Sequence, residues 1–175
     1  MEMLKLELLE KNIIDLQGEV NEDMFIYVRE CIMRLATKDN PPISIKITSN
    51  GGNTRASFAI YDLLRLYPGE KTGTVIGAAR SAAVTILQAC DRRECMRGSL
   101  VLIHDNIFDV RISQIDDAKE WEKIMAEMRE TQANLFSILE KRTKKSRGEI
   151  IALCKEDHDL LAEEALKFGL IDEIV

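Results

Sequence analysis

Apolar residues recur along the chain with two different periods, and the two kinds of segment alternate. In ISIKIT at 43–48 every second residue is an isoleucine, which predicts a strand with one face more buried than the other. Three more short runs are strand candidates: NIIDLQG at 12–18, TGTVIG at 72–77 and SLVLIH at 99–104. The intervening segments repeat apolar residues every three or four positions, as amphipathic helices do. This order predicts an α/β domain with parallel, right-handed strand–helix–strand units.

The helical segments differ in how much of their surface is apolar. One begins after Asn21, whose side chain is a candidate N-cap. The segment 81–89 is small and apolar on nearly every side, which predicts burial in several directions. The stretch 113–141 keeps one apolar face over a length at which a helix in a small domain usually protrudes or packs against a partner. A last helix at 162–168 is ended by Gly169.

The composition excludes several classes of function. The chain has 175 residues, of which 46% are hydrophobic and 31% charged, as in an ordinary soluble globular domain. Its net charge of −6 argues against nucleic acid as the main partner, and the basic cluster KRTKKSR at 141–147 is interpreted as a solvated loop. No apolar run approaches the roughly 18–20 residues needed to cross a bilayer, and the N-terminus does not resemble a signal peptide. We therefore expect a cytoplasmic protein that binds neither nucleic acid nor membrane.

The cysteines do not form a metal-binding pattern. Cys31, Cys90, Cys95 and Cys154 occur without a CxxC pair, which predicts buried, reduced thiols. Cys90 and Cys95 together with His104 match no common zinc spacing. No metal site is expected.

Two turns between a predicted strand and a predicted helix carry unusual residues. They are Ser49-Asn50-Gly51-Gly52 and Gly77-Ala78-Ala79-Arg80-Ser81. Both lie at the carboxyl ends of strands, where α/β proteins tend to place their sites. Paired glycines can aim backbone N–H groups outward, and a helix N-terminus adds partial positive charge, so the two turns could receive a developing oxyanion. A Gly-Gly pair alone is weak evidence, because most such pairs are ordinary turns.

Ser81 has two interpretations on position alone. A serine just before a helix is most often an N-cap. It could instead be a nucleophile, which would need a base nearby. The chain has two histidines. His104 ends an apolar strand and is the candidate base, although a structural histidine at a strand end is the plainer alternative, and His158 is interpreted as a surface residue.

In their order and spacing, these segments resemble the proteolytic subunit of the ATP-dependent Clp protease. The resemblance covers about residues 8–175 and is carried by ITSNGG…AIYDLL, IGAARSAA…LQA, LVLIHD and EDHDLLAEEALKFGLIDEIV. It implies a ClpP/crotonase-like fold of repeated strand-turn-helix (ββα-type) units, within the α/β class. It also implies one peptidase domain over 1–175, with a long protruding handle helix in a region of about 105–141.

The same resemblance implies a serine endopeptidase with a Ser–His–Asp triad. Ser81 matches the nucleophile, His104 the base and Asp157 the orienting acid. The backbone N–H groups of Gly52 and Ala82 match the oxyanion hole. Asp159 is a weaker candidate for the acid.

The family's assembly sets the expected partners. The resemblance implies a homo-oligomer of two stacked heptameric rings that cleaves unfolded polypeptides or peptides. An AAA+ unfoldase would deliver the substrate and use the ATP, so this chain would need no cofactor of its own, and a second ClpP-type subunit is a further possible partner. Because Met1 falls almost at the first structured segment, the family's axial loop is expected to be largely absent.

The chain departs from the family pattern beside the candidate nucleophile. Asn50 stands where the family has proline, and Arg80 stands where it has a small residue. Arg80 could point into the site and favour a Ser81 alkoxide, or point outward and pair with an acid. Two alternative functions follow from the fold: a catalytically silent ring subunit, or a crotonase-like enzyme acting on acyl-CoA.

Overall fold

The structure, a computed structural model, describes residues 3–105, 107 and 110–175 and follows the predicted alternation of strands and helices. The elements in chain order are α1 (Met3–Glu10), β1 (Ile13–Gln17), α2 (Glu22–Ala36), β2 (Ile43–Ser49), α3 (Thr54–Leu66), β3 (Lys71–Arg80), α4 (Ala82–Leu87), β4 (Arg92–Cys95), β5 (Leu100–Leu102), α5 (Ile112–Asp116), α6 (Ala118–Thr143), α7 (Arg147–Glu156), β6 (Leu160–Leu161), α8 (Ala162–Phe168) and β7 (Glu173–Ile174).

The described strands form one sheet. Its main order is β1-β2-β3-β4-β7, with β5 paired to β3 and β6 paired to β5. All of these pairs are parallel except β5–β6. The alternating isoleucines of β2 (Ile43, Ile45 and Ile47) are buried, as the pattern predicted. The predicted α/β class is confirmed.

Strand β3 changes partners along its length, and this change positions the site. Its residues 72–75 pair with β4, whereas residues 78–80 pair with β5. Between these two stretches lies Gly77, whose φ of +77° lies in the region that favours glycine. The register against β2 also shifts at this irregularity. As a result, the end of β3 lies between the ends of β2 and β5.

Two of the predicted helix ends have the expected local chemistry. The Asn21 side chain accepts a hydrogen bond from the N–H of Met24 at 3.0 Å and so caps α2. Gly169 follows α8 with a φ of +92°, in the left-handed conformation that often ends a helix. Helix α4 is buried along its whole length, as its small apolar surface predicted.

The long helical stretch predicted for 113–141 is wrong in one respect, because the structure divides it at Asp117. The Asp117 backbone is extended, and its carboxylate accepts hydrogen bonds from the N–H groups of Lys119 and Glu120, at 2.9 and 3.1 Å. An aspartate competes for backbone N–H groups in this way, so it starts α6 instead of continuing α5. The buried residues of α6 all lie toward its C-terminal end, whereas its first half buries no residue fully and contacts α3 through an ion pair between Glu127 and Arg55.

The sequence patterns also missed some elements. The strands β4, β6 and β7 have two to four residues each, too few to show a period. Helix α1 buries only Leu9, so it has no clear apolar face. The basic segment 141–147 is only partly a loop, since α6 continues to Thr143 and α7 begins at Arg147. In the described ranges, no helix combines the length and apolarity that crossing a membrane requires.

Candidate active site

Ser81 occupies a strained turn between β3 and α4. Its φ of +54° and ψ of −124° lie in a region that residues with a side chain rarely adopt. The turn is held by the neighbouring strand, because the Ser81 N–H donates to the backbone oxygen of Leu102 at 2.8 Å. The Ser81 hydroxyl makes no capping hydrogen bond to α4. The N-cap interpretation is therefore wrong, and the hydroxyl is available for another role.

His104 lies near Ser81, at the same edge of the sheet. It follows β5, the partner of the end of β3, and the two side chains line one pocket. Its Nδ1 lies 2.6 Å from the backbone oxygen of Asp105. Because a carbonyl oxygen can only accept, this contact assigns the proton to Nδ1 and leaves the Nε2 lone pair of a neutral imidazole free. A histidine that is to take a proton from a serine needs this tautomer.

Asp157 does not contact His104 in this structure. It caps the C-terminus of α7 with a φ of +45°, and its side chain is exposed. It does not line the pocket shared by Ser81 and His104. Among the residues that the structure describes, none forms a hydrogen bond with its carboxylate.

The register of β5 against β6 relates the positions of Asp157 and His104 in sequence. Strands β5 and β6 are antiparallel, with Val101 opposite Leu160. If this register continued for three residues beyond Val101, His104 would lie opposite Asp157. A short extension of the β5–β6 ladder would therefore bring the imidazole and the carboxylate together.

The glycine turn after β2 packs directly against the Ser81 turn. A Cβ atom added at Gly51 would lie 2.7 Å from the Ser81 Cβ and 3.1 Å from the Ala82 nitrogen. Only a residue without a side chain permits this approach. The turn is fixed on its other side by Val20, whose N–H donates to the Gly51 oxygen at 2.8 Å. Within the described part of the chain, the N–H groups of Gly52 and Ala82 donate to no acceptor.

The two departures from the family pattern contact each other. The Arg80 guanidinium donates to both carboxylate oxygens of Asp159, at 2.6 and 2.8 Å, and to the Asn50 side-chain oxygen at 2.5 Å. Arg80 is therefore paired with an acid, the second of the two orientations considered above. Its hydrogen bonds lower the pKa of the Asp159 carboxyl. Because Asp159 is bound to Arg80, it does not orient His104.

This cluster of Arg80, Asn50 and Asp159 ties the turn at 49–52 to the segment that precedes β6. Replacing Arg80 with methionine is expected to speed amide hydrogen exchange at 49–52 and 157–161 by about fivefold. That factor corresponds to about 1 kcal/mol, the contribution expected of a partly exposed, bidentate ion pair. Exchange followed by mass spectrometry would measure the change.

Arg97→Met is the matched control, because Arg97 makes one exposed ion pair with Glu163 at 2.6 Å. It should leave exchange at 49–52 unchanged. Equal effects of the two substitutions on that turn would contradict the coupling.

The cysteines behave as structural residues. All four are buried and free. Burial raises the pKa of Cys90 and Cys154 to about 12. It raises the pKa of Cys31 and Cys95 to about 11, so these thiols resist ionisation. No group of three side chains suited to holding a metal ion occurs in the described ranges.

The sequence analysis did not identify several residues of the pocket. Thr54 lines it from the start of α3, Thr85 from α4, and Leu135 and Leu139 from α6. Thr54 lies two residues after the glycine turn, so its place near the site could have been predicted from the sequence. The two leucines are four residues apart on one helix face, but nothing in their spacing shows which pocket that face covers. His158 is exposed beside Glu156, as predicted for a surface residue.

Comparisons with known proteins agree with this fold. The sequence model of the Clp protease family matches residues 2–175. The fold is similar to the solved structure of a point mutant of ClpP1 from Listeria monocytogenes, with a TM-score of 0.84 and 24% identity over 99% of this chain and 96% of that chain. At that identity the structural likeness shows the fold alone. Because the family match spans nearly the whole sequence, this chain belongs to the Clp protease family and is a ClpP-like protease subunit.

Proposed function

We propose that the chain is a serine-type endopeptidase subunit in which Ser81 is the nucleophile and His104 the general base. The observation that carries the proposal is the shared pocket of Ser81 and His104. Ser81 is held in a strained turn without a capping role, and the tautomer of His104 leaves Nε2 able to accept a proton. Family membership supports peptidase activity, and the contacts within the pocket support the serine mechanism.

In the proposed reaction the Ser81 oxygen attacks the peptide carbonyl while His104 Nε2 takes the hydroxyl proton. The carbonyl oxygen becomes an oxyanion, which the N–H groups of Gly52 and Ala82 would bind. The imidazolium then gives its proton to the leaving amine as the C–N bond breaks, which leaves an acyl-enzyme. A water molecule then attacks the acyl-enzyme ester while His104 takes its proton. Return of that proton to the Ser81 oxygen releases the peptide acid and regenerates Ser81.

Asp157 is proposed to orient His104 after the β5–β6 ladder extends toward it. In the described arrangement the Asp105 carbonyl already holds the required tautomer. A carboxylate would stabilise the positive imidazolium that forms during attack more strongly than a neutral carbonyl does. Asp157 would therefore act mainly on the rate of proton transfer.

A fluorophosphonate probe tests this assignment directly, because it reacts with activated serines. We expect mass spectrometry to find the adduct on Ser81, and we expect His104→Ala to slow labelling by about 10²-fold or more, the usual contribution of a general base. Asp157→Asn should also slow labelling, and asparagine tolerates the positive φ of this position.

Three results would contradict parts of the proposal. A labelled serine elsewhere would remove Ser81 from the mechanism. Equal labelling rates for wild type and Asp157→Asn would remove Asp157. Absence of any labelling in the assembled protein would favour a catalytically silent ring subunit, an alternative supported by the separation of Asp157 from His104.

Ring assembly and delivery by an unfoldase are part of the same proposal. Family membership suggests ring-forming oligomers, and we propose two stacked heptamers that receive polypeptides from an AAA+ partner in the cytoplasm, with or without a second ClpP-type subunit. The first half of α6, in which no residue is fully buried, and the exposed apolar side chains of α5, Ile112 and Ile115, offer surface for contacts between subunits. ATP would be used by the unfoldase, and no cofactor is proposed for this chain.

A further inference from the structure

The ends of β3, β5 and β6 lie side by side, and their paired residues form rows across the sheet. In one row Ala79 pairs with Val101, which lies opposite Leu160. All three side chains are buried, with exposed fractions of at most 5%. Because successive side chains of a strand point to opposite faces of the sheet, the next row toward the active site lies on the other, less covered face.

Arg80 and Asp159 belong to that next row. Arg80 pairs with Leu102 of β5, and Asp159 immediately precedes β6. One further step of the β5–β6 register places Asp159 opposite Leu102. The Arg80 guanidinium reaches across β5 and donates to both carboxylate oxygens of Asp159, at 2.6 and 2.8 Å. This bidentate ion pair therefore fastens the chain at the point where the backbone ladder stops.

The guanidinium of Arg80 is held on a second edge as well. Its Nε and Nη2 atoms bind Asp159, and its Nη1 atom donates to the Asn50 side-chain oxygen at 2.5 Å. The side chains of Arg80 and Asp159 are 27% and 37% exposed, so water screens their attraction only in part. The position of Asp159 is therefore set from β3 and not by β6 alone.

Asp157 precedes Asp159 by two residues. Alternate residues of an extended chain lie on the same face, so an extended segment places Asp157 on the face of Asp159, opposite His104. Strand β6 has only two residues, too few to hold a longer segment in register by backbone pairing alone. With Asp159 fixed by Arg80, one residue separates the fixed position from Asp157, whose φ must change from +45° to the extended range.

We propose that Arg80 is a positioning residue for the proton transfer, which acts through Asp159 to hold segment 157–161 in the register that brings Asp157 to His104. The inference rests on the proposed peptidase function and adds to it a residue that acts without contacting the reacting atoms. Without the ion pair the segment would sample other arrangements. A smaller fraction of the molecules would then have the carboxylate beside the imidazole.

Turnover of a fluorogenic peptide by the assembled protein tests this role. Arg80→Met is expected to lower kcat about fivefold and leave KM unchanged, because it reduces the population of the ordered segment without altering substrate binding. Asp159→Asn should have the same effect, since it removes the other half of the ion pair. Arg97→Met, which removes the exposed ion pair with Glu163, is the matched control and should change neither constant. Unchanged or faster turnover in either Arg80→Met or Asp159→Asn would overturn the inference.

The effect of Arg80 should disappear when the carboxylate of Asp157 is absent. In the wild-type background we expect Arg80→Met to slow fluorophosphonate labelling of Ser81 about fivefold. In the Asp157→Asn background the same substitution should leave the labelling rate within about twofold, because two residues that act through one interaction are not additive. A merely structural role would slow labelling by the same factor in both backgrounds, and that result would overturn the inference.

The same measurements separate failure of this inference from failure of the proposed function. If Ser81 of the wild-type protein is not labelled, the peptidase proposal fails and the positioning role fails with it. If labelling depends on Ser81, His104 and Asp157 but not on Arg80 or Asp159, only the positioning role fails.

Discussion

Replacing Ser81 with alanine is expected to abolish peptide hydrolysis while leaving the fold and the assembly unchanged. The hydroxyl is the proposed attacking group, and removing the nucleophile of such a site typically costs a factor of about 10⁴ or more in kcat. The hydroxyl makes no capping hydrogen bond, so its loss removes little stability. Alanine at position 81 would adopt the same positive φ that serine adopts there.

Hydrolysis of a fluorogenic peptide, a thermal melt and the native mass would be measured together. Ser113→Ala is the matched control, because Ser113 is an exposed serine on α5, and its activity should equal that of the wild type. Persistent hydrolysis by purified Ser81→Ala would show that another residue attacks the peptide. An unchanged melting temperature separates loss of the nucleophile from loss of the fold.

Gly51→Ala is expected to cause the largest loss of stability and also to inactivate the site. Its Cβ would lie 2.7 Å from both the Arg80 oxygen and the Ser81 Cβ, and the φ of +94° adds backbone strain. We expect a cost of about 3 kcal/mol or more, since backbone atoms cannot move aside as a flexible side chain can. For a chain of this length, that corresponds to a melting temperature lower by about 6–12 °C.

Gly18 supplies a control with the same strain and no clash. Its φ is +89°, and a Cβ added there would meet nothing within 4 Å. Gly18→Ala should therefore cost only about 1 kcal/mol and leave fluorophosphonate labelling of Ser81 unchanged. Equal losses in the two variants would mean that the close approach of Gly51 to the Ser81 turn contributes nothing measurable.

Much of the fold could be predicted because its signals are local. The alternating isoleucines of β2 bury one face, and Asn21 and Gly169 act on the backbone of their own helix ends. The predictions failed where a side chain competes with the helix for backbone N–H groups, as at Asp117, or where an element was too short to show a period. The family resemblance added the type of fold, with its repeated strand-turn-helix units, which periodicity alone does not determine.

The pairing of Ser81 with His104 also followed from the sequence, since each was predicted at the carboxyl end of a strand. Carboxyl ends of neighbouring parallel strands meet at one edge of a sheet, and β3 and β5 are neighbours. The position of Asp157 depends on how α7 ends and on how far the β5–β6 ladder extends. The sequence does not contain a local signal for either.

The sequence by itself determined the α/β class, most of the main helices and strands, and the candidate nucleophile and base, because each depends on short-range periodicity or on a motif. The tertiary structure alone decided that Ser81 does not cap α4, since a hydrogen bond from β5 sets its backbone. It also decided that Arg80 turns toward Asp159 and that leucines of α6 line the pocket. These contacts join residues from 21 to 79 positions apart along the chain, and only the packing of the strands and helices determines which of them meet.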